Sequence, residues 1–567
     1  MSAARHPASW AAGTMVLAVL GLAGTHAHAQ SAVANNLLPT QNPCTSCAAP
    51  LPEAGGPASQ SLPAAPVPTQ QAFRLNDLRL NGVKALRDAE LSAITGPYVG
   101  RDVTLADLEA MTQAITAQYR ERGYFLATAV VPVQTVQNGV VEISVIEGRL
   151  GNITVNVAPD APLGEARVRG FLSALQTGDA VTTGTYERAL LLLSDQPGVR
   201  VSSNLQEGAQ PGTTDLTVDV VAARPWQASI DADNHGTVES GRYRVGATGR
   251  WLSPFGIGDN LDARAMISNG SDLVLGRVSY EAPLGTGGLR GGIGLSRVQY
   301  DLAGDFKALD AHGTADVVDV SLNYPLIRSR GQNLFLRLGA DSQDLTDDYE
   351  AIGFSSKKRV RGLGLGWSWE RRDQAFGGGY WASAGTFYHG ELDIRDAVTA
   401  QFDQQPGGPH TEGDFNKLTF QFSRLQTVLP SHSLYLSLGG QWADRNLDAS
   451  QKLSLGGARA VRAYASSEAL VDEGLIGVVE WRWSYSETLT PFVFYDAAHG
   501  KPAHDPSPLN PSDNAISLRG AGFGVSWAQP GNFSVNATLA WRAGTRPALA
   551  DGGGHNPRLY VQLQKVF

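Results

Sequence analysis

From residue 224 to Phe567 the chain repeats one pattern, in which every second residue is apolar over stretches of about ten. Trp226, Ala228, Ile230 and Ala232 alternate with Gln227, Ser229, Asp231 and Asp233. The alternation returns at Leu334, Leu336 and Leu338, and at Val535, Ala537, Leu539 and Trp541. A period of two places successive side chains on opposite faces of a strand. One face here is apolar with aromatic residues near the segment ends, and the other is mainly Gly, Ser, Arg, Asp or Gln. A soluble sandwich or propeller needs a packed apolar core. Strands that are apolar outward and polar inward are instead the pattern of a transmembrane β-barrel.

Sixteen segments begin near residues 226, 242, 259, 272, 287, 316, 332, 359, 379, 415, 432, 475, 491, 516, 532 and 557. The expected fold is therefore a 16-stranded transmembrane barrel over 224–567. Connections after even strands are short and turn-like, as at 253–256, 283–287 and 528–531. Those after odd strands are mostly long, as at 300–315, 391–414 and 445–474. Short periplasmic turns and long outer loops are the rule in bacterial barrels. An even strand count leaves Phe567 on the periplasmic side. Composition agrees: charged residues are 17% of the chain, below the roughly 25% of soluble proteins. Beyond residue 24 no run of about 20 apolar residues suits a membrane helix. The formal charge of −9, from 45 basic and 54 acidic residues, argues against nucleic acid as the main partner.

Residues 1–29 read as an export signal: Arg5, an apolar stretch at 11–24, and Ala27-His28-Ala29 as the cleavage site. Residues 30–72 are Pro-, Ala- and Gln-rich and read as a linker or arm. They contain the chain's two cysteines, Cys44 and Cys47. No His and no second Cys pair accompanies them, so the pair reads as a local disulfide in an oxidising compartment or as nothing functional.

Residues 73–223 look like two copies of one α/β unit, at 73–150 and 151–223. The first has a strand at 73–80, a helix at 88–94 and a second helix opened by Thr104 and Asp107. That second helix carries Leu108, Met111, Ile115 and Tyr119 on one face. Strands at 125–133 and 140–146 follow, joined through Asn138-Gly139, a hairpin signal. The second unit repeats the order, with strands at 153–157, 199–205 and 216–221 and helices at 165–175 and after 185. Such self-similarity marks tandem modules.

The sequence carries no G-x-S-x-G, no H-E-x-x-H and no Gly-Lys-Ser/Thr phosphate loop. It predicts no enzyme, cofactor or metal. The informative segment is the longest outer loop, 445–474, with Val461, Arg462, Ala463 and Tyr464. Val and Tyr beside an Arg gain nothing in a solvated loop. Folded back into a polar lumen, the Arg would pair with a wall carboxylate while Val and Tyr pack. Two strands later Asp496 interrupts an apolar strand, and alternation places Phe494, Asp496 and Ala498 on one face, assigned to the lumen.

On these residues the chain resembles the two-partner secretion transporters, the haemolysin secretion/activation family of the outer-membrane assembly superfamily. Members carry two periplasmic POTRA modules and a 16-stranded barrel. The sixth outer loop bears V-R-G-Y/F, and strand thirteen bears F-x-D-x-G. Val461-Arg462-Ala463-Tyr464 and Phe494-Tyr495-Asp496-Ala497-Ala498 match both, with Ala463 and Ala498 standing where the family usually has Gly. The resemblance implies an outer-membrane translocator that secretes one large partner protein, a haemolysin or adhesin for example, recognised through the partner's N-terminal secretion domain. The sequence does not fix the oligomeric state, and a monomer is the expectation. It also implies that Val461, Arg462, Tyr464, Phe494 and Asp496 serve translocation and gating. Residues 30–71 lack a clear version of the plug helix that some members carry. An assembly factor for other membrane proteins usually has more POTRA modules, and a solute porin has no need of any.

Overall fold

A computed structural model describes residues 72–466, 468–506, 514–550 and 555–567. The expected signal at 1–29, the arm through residue 71, Cys44 and Cys47 lie outside the described residues. The chain divides into two compact units at Ala223 and Arg224.

The first unit holds two small mixed sheets. In the first module, β1 (Phe73–Arg74), β2 (Asp77–Asn81), α1 (Asp88–Thr95), β3 (Asp102–Val103), α2 (Leu105–Glu121), β4 (Thr128–Val130) and β5 (Val140–Ile146) follow in order. The second has β6 (Arg149–Val157), α3 (Glu165–Phe171), α4 (Thr183–Ser194), β7 (Val199–Glu207) and β8 (Thr213–Ala222). Sheet orders are β2-β5-β4 and β6-β8-β7. In each, the opening strand pairs in parallel with the closing strand, and the strand before last pairs antiparallel to it. The repeated topology bears out the reading of two like modules.

One strand was expected at 73–80, and the structure breaks it in two. Leu75 is fully buried, and its N–H and C=O bond with Arg101 O and Gly100 N. That carries β1 to β3, while β2 restarts against β5. The strand expected at 125–133 shrinks to β4. Asn138 and Gly139 adopt φ of 54° and 68°, the left-handed pair a two-residue hairpin turn requires. At the start of α2, Thr104 Oγ1 accepts from Asp107 N at 3.3 Å and Asp107 Oδ2 accepts from Thr104 N at 2.7 Å. Those bonds from Thr104 hold the Asp107 carboxyl below its ordinary pKa. Leu108, Met111, Ile115 and Tyr119 all face the core. Burial, then the bond to Glu147, raises the Tyr119 phenol.

The second unit is a closed antiparallel barrel of sixteen strands. They are β9 (Trp226–Asp233), β10 (Arg244–Leu252), β11 (Asn260–Ser268), β12 (Leu273–Pro283), β13 (Arg290–Asp301), β14 (Ala311–Arg328), β15 (Gln332–Tyr349) and β16 (Phe354–Asp373). Then come β17 (Gly379–Ile394), β18 (Gly413–Leu429) and β19 (His432–Ala443), with α5 (Ala397–Gln404) between β17 and β18. Two short strands, β20 (Leu453–Ser454) and β21 (Leu470–Val471), pair within the outer loop. The barrel resumes with β22 (Glu473–Trp483), β23 (Leu489–Lys501), β24 (Ile516–Gln529), β25 (Phe533–Arg542) and β26 (Arg558–Val566), which closes on β9.

Every observed start lies within five residues of its expected place, the largest offsets being 311 against 316 and 354 against 359. Length is where the expectation of about ten residues fails, since β14 to β18 run 16 to 20 residues. Their outer halves continue above the apolar band with ionic outward side chains, such as the Arg359–Asp344 pair. Outward positions such as Leu363, Leu365, Phe387 and Leu438 are exposed as lipid-facing residues should be. Aromatic pairs mark the periplasmic rim: Trp226 stacks on Trp251 at 4.7 Å, and Trp527 meets Phe533 edge-on at 4.8 Å.

Candidate functional site

The site begins with strand alternation on β23. Phe492, Phe494, Asp496 and Ala498 point inward and are buried, whereas Val493 and Tyr495 point outward and are exposed. Asp496 has no exposed surface at all. A carboxylate removed from water needs an opposite charge and hydrogen bonds. The outer loop supplies both. Arg462 Nε donates to Asp496 Oδ2 at 2.8 Å, and Nη2 to Oδ1 at 2.7 Å. Its backbone N–H adds a third bond to Oδ2 at 3.1 Å. The remaining arm of the guanidinium, Nη1, donates to Glu480 Oε1 at 2.7 Å. Glu480 Oε2 in turn accepts two bonds from Arg482. Two arginines and two carboxylates thus form one neutral cluster, with the Arg462 guanidinium 3.5 Å from the Phe494 ring centroid. A bidentate Arg–carboxylate fork fixes orientation as well as distance.

The loop's own backbone sets that geometry. Gly457 takes φ 112°, a region that disfavours side chains, and its N–H bonds to Tyr464 O at 3.0 Å. Val461 N donates to Leu455 O and Tyr464 N to Val461 O, both at 3.1 Å. The resulting turn buries Val461 and Tyr464 completely. Tyr464 also ties the tip to the last strand pair: its hydroxyl donates to Arg546 O at 3.0 Å, and its carbonyl accepts from Tyr560 at 2.9 Å.

The structure brings Val461, Arg462, Tyr464, Phe494 and Asp496 together. It adds three residues that the sequence reading missed, Glu480 with its partner Arg482, and Gly520. Glu480 is the second anchor of Arg462; its signal was the pair Glu480 and Arg482, two apart on the inward face of β22. Gly520 on β24 lies directly opposite Asp496 in register. A Cβ there would sit 2.8 Å from Ala463 Cβ, so the glycine is the socket for the loop tip. Nothing in the local sequence marks it among the glycines of β24. Neither Ala463 nor Ala498 has a positive φ, so alanine fits both positions without backbone strain.

Beside the tip, His235 follows the first barrel strand. Its ring meets Tyr560 edge-on at 5.4 Å, and its carbonyl accepts from Ser466 Oγ at 3.5 Å. Burial lowers its pKa to about 4, with Arg244 and Arg459 adding to the effect against the pull of Asp233.

Comparison with known proteins agrees with this geometry. Residues 73–148 match the POTRA domain model of ShlB type, and residues 212–527 match the model of the haemolysin secretion/activation proteins ShlB/FhaC/HecB. The chain is 28% identical over 464 residues to the heme/hemopexin transporter protein HuxB of Haemophilus influenzae, covering 80% of each chain. It is 22% identical to the outer membrane transporter CdiB of Dickeya dadantii, over 83% of this chain and 82% of that one. Among solved structures, CdiB from Escherichia coli superposes with a TM-score of 0.69 at 19% identity over the whole of both chains. BamA from Haemophilus ducreyi gives 0.51 at 13% identity, over 87% of this chain and all of that one. A sixteen-stranded barrel, two POTRA-like modules and a family match across more than half its length place the chain in the ShlB/FhaC/HecB family: it is an outer-membrane transporter of two-partner secretion, with its POTRA domains in the periplasm.

Proposed function

We propose that this transporter takes hold of one large exported protein by that protein's N-terminal secretion domain and conducts it through the barrel lumen. The loop tip at 461–464 serves as the gate. The observation that carries the reading is the buried cluster of Arg462, Asp496, Glu480 and Arg482. A pore that fastens its own loop inside with a neutral set of four charges is closed at rest. Opening it needs a ligand that favours the undocked state. POTRA-like sheets offer the first handhold. The nine-residue β7 ends its sheet, and an unfolded chain adds to such an edge through main-chain bonds with little sequence demand. Folding of the partner outside the cell then biases the movement outward.

The test uses purified protein in a planar bilayer, with and without the N-terminal domain of a large exported β-helical repeat protein encoded beside its gene. Binding of that domain with a change in conductance is the expected result. A steady pore indifferent to the domain would overturn the proposal in favour of a porin. Insertion of unrelated barrels by the protein would favour an assembly factor.

A further inference from the structure

The loop at 445–474 is fastened in two places, and the two fastenings belong to different cores. Leu447 is buried in an apolar cluster with inward side chains of β15 to β19, among them Leu345, Val360, Tyr388 and Phe415. Leu455, Val461, Ala463 and Tyr464 belong to a second cluster, built with Phe494 of β23 and Leu518 of β24. The polar anchors divide in the same way. At the foot, Asp448 pairs with Lys358 of β16 at 2.7 Å, both side chains buried. Gln451 accepts from Lys417 of β18 at Oε1 (2.9 Å) and at its carbonyl (3.3 Å). The same carbonyl accepts from Gln441 of β19 at 3.1 Å. The loop's return leg is tied to the foot, because Asp472 takes Leu447 N at 3.2 Å and Lys452 at 2.9 Å. Between foot and tip the connection is slight: β20 and β21 pair through two residues each.

We propose that the loop is two mechanical parts. Residues 446–452 with Asp472 are a fixed anchor, held by the positioning residues Lys358 and Lys417. Residues 453–471 are the part that moves. Undocking the tip releases the Arg462 cluster and one core. Withdrawing the whole loop would, in addition, break the Asp448–Lys358 pair and the bonds of Lys417 and Gln441 to Gln451, and would pull Leu447 out of its apolar cluster. The lower-cost motion pivots after Lys452 and leaves the foot across the β15–β19 wall. The lumen then opens along β22 to β25, and the partner protein passes on that side. This rests on the reading that the lumen conducts a partner.

The experiment bridges each part to its wall. In a background with Cys44 and Cys47 replaced by serine, a Lys358→Cys/Asp448→Cys pair is joined by a short bifunctional thiol reagent. A Lys417→Cys/Gln451→Cys pair repeats the test should the first variant fail to assemble. An Ala463→Cys/Gly520→Cys disulfide locks the tip; it needs a shift of about 1 Å from the present separation to the usual ~3.8 Å between Cβ atoms. Opening events in a planar bilayer are read first, and partner export second. With the foot bridged, openings should stay within twofold of the unbridged variant. With the tip bridged they should fall at least tenfold and return on reduction. A foot bridge that silences the pore as fully as the tip bridge overturns the proposal, and so does a tip bridge without effect. Openings that behave as expected while no partner is exported leave the two-part loop standing and count against the lumen as the partner's route.

Discussion

Removing the Arg462 side chain tests whether the buried cluster holds the gate. Arg462→Ala deletes three guanidinium bonds of 2.7 to 2.8 Å and the contact with Phe494. Asp496, wholly buried, keeps only the backbone N–H of residue 462, and Glu480 keeps Arg482. Breaking a buried ion pair from one side costs about 3–5 kcal/mol, because the abandoned charge stays out of water. Undocking the tip lets water reach Asp496 and recovers much of that cost, so the substitution favours the undocked state by up to the same amount. At about 1.4 kcal/mol per factor of ten, the docked-to-undocked ratio falls by on the order of 10²–10⁴. The assay is external protease on intact cells, with cleavage inside 453–471 followed over time, alongside bilayer conductance and partner export. Cleavage should accelerate, conductance should rise and export should be lost, while heat-modifiable migration still reports a folded barrel. Arg462→Lys keeps the charge without the fork and should fall between the two. A tip as protected in Arg462→Ala as in the parent would refute the argument that this cluster holds it.

Gly520→Ala should displace the tip by overpacking, at roughly 1–3 kcal/mol, because the new Cβ would lie 2.8 Å from that of Ala463. Adding Ala463→Gly should restore protease protection, and a double variant as open as the single would contradict the socket. Thr104→Ala removes the N-cap bonds of α2 and should cost about 1 kcal/mol, lowering the melting temperature of the first periplasmic module by about 4–8 °C; barrel conductance should not change. His235 has a pKa of about 4, below its ordinary value near 6.5, so the unfolded chain takes up the proton first. Its contribution is therefore full above about pH 6.5 and is lost as pH falls toward 4. His235→Gln should flatten the acid side of a detergent-unfolding profile, and an unchanged slope would show that another group sets it.

Strand number and strand placement were legible in the sequence because a lipid-facing barrel imposes its period on every strand: Trp226, Ile230 and Ala232 announce β9 as plainly as Leu334, Leu336 and Leu338 announce β15. The bounds failed where that constraint lapses. Above the membrane the outward face turns polar while the inward face packs apolar residues such as Leu345, Val360 and Leu392, so in the outer halves of β14 to β18 the lipid-facing pattern no longer marks the strand. In the first module, one strand became β1 and β2 because Leu75 turns into the core, a contact decided by residues far along the chain. The site was half visible. Arg462 and Asp496 stood out as charges among apolar neighbours, whereas Gly520 could be known only from what packs on it.

Local chemistry alone therefore determined that this chain is a barrel with two repeated modules, and that a loop arginine and a strand aspartate sit in apolar surroundings. Both follow from periodicity and from the cost of an unpaired charge, which act over a few residues. Only the tertiary structure decided which groups share the buried charges. The closed sheet brings β22, β23 and β24 side by side, so that one arginine reaches Asp496 and Glu480 while Ala463 enters the gap left by Gly520. It also decided that the loop's foot and tip rest on different walls. Those pairings join residues up to 231 positions apart, as between Ser466 and His235, and depend on barrel closure, which no short stretch of the chain encodes.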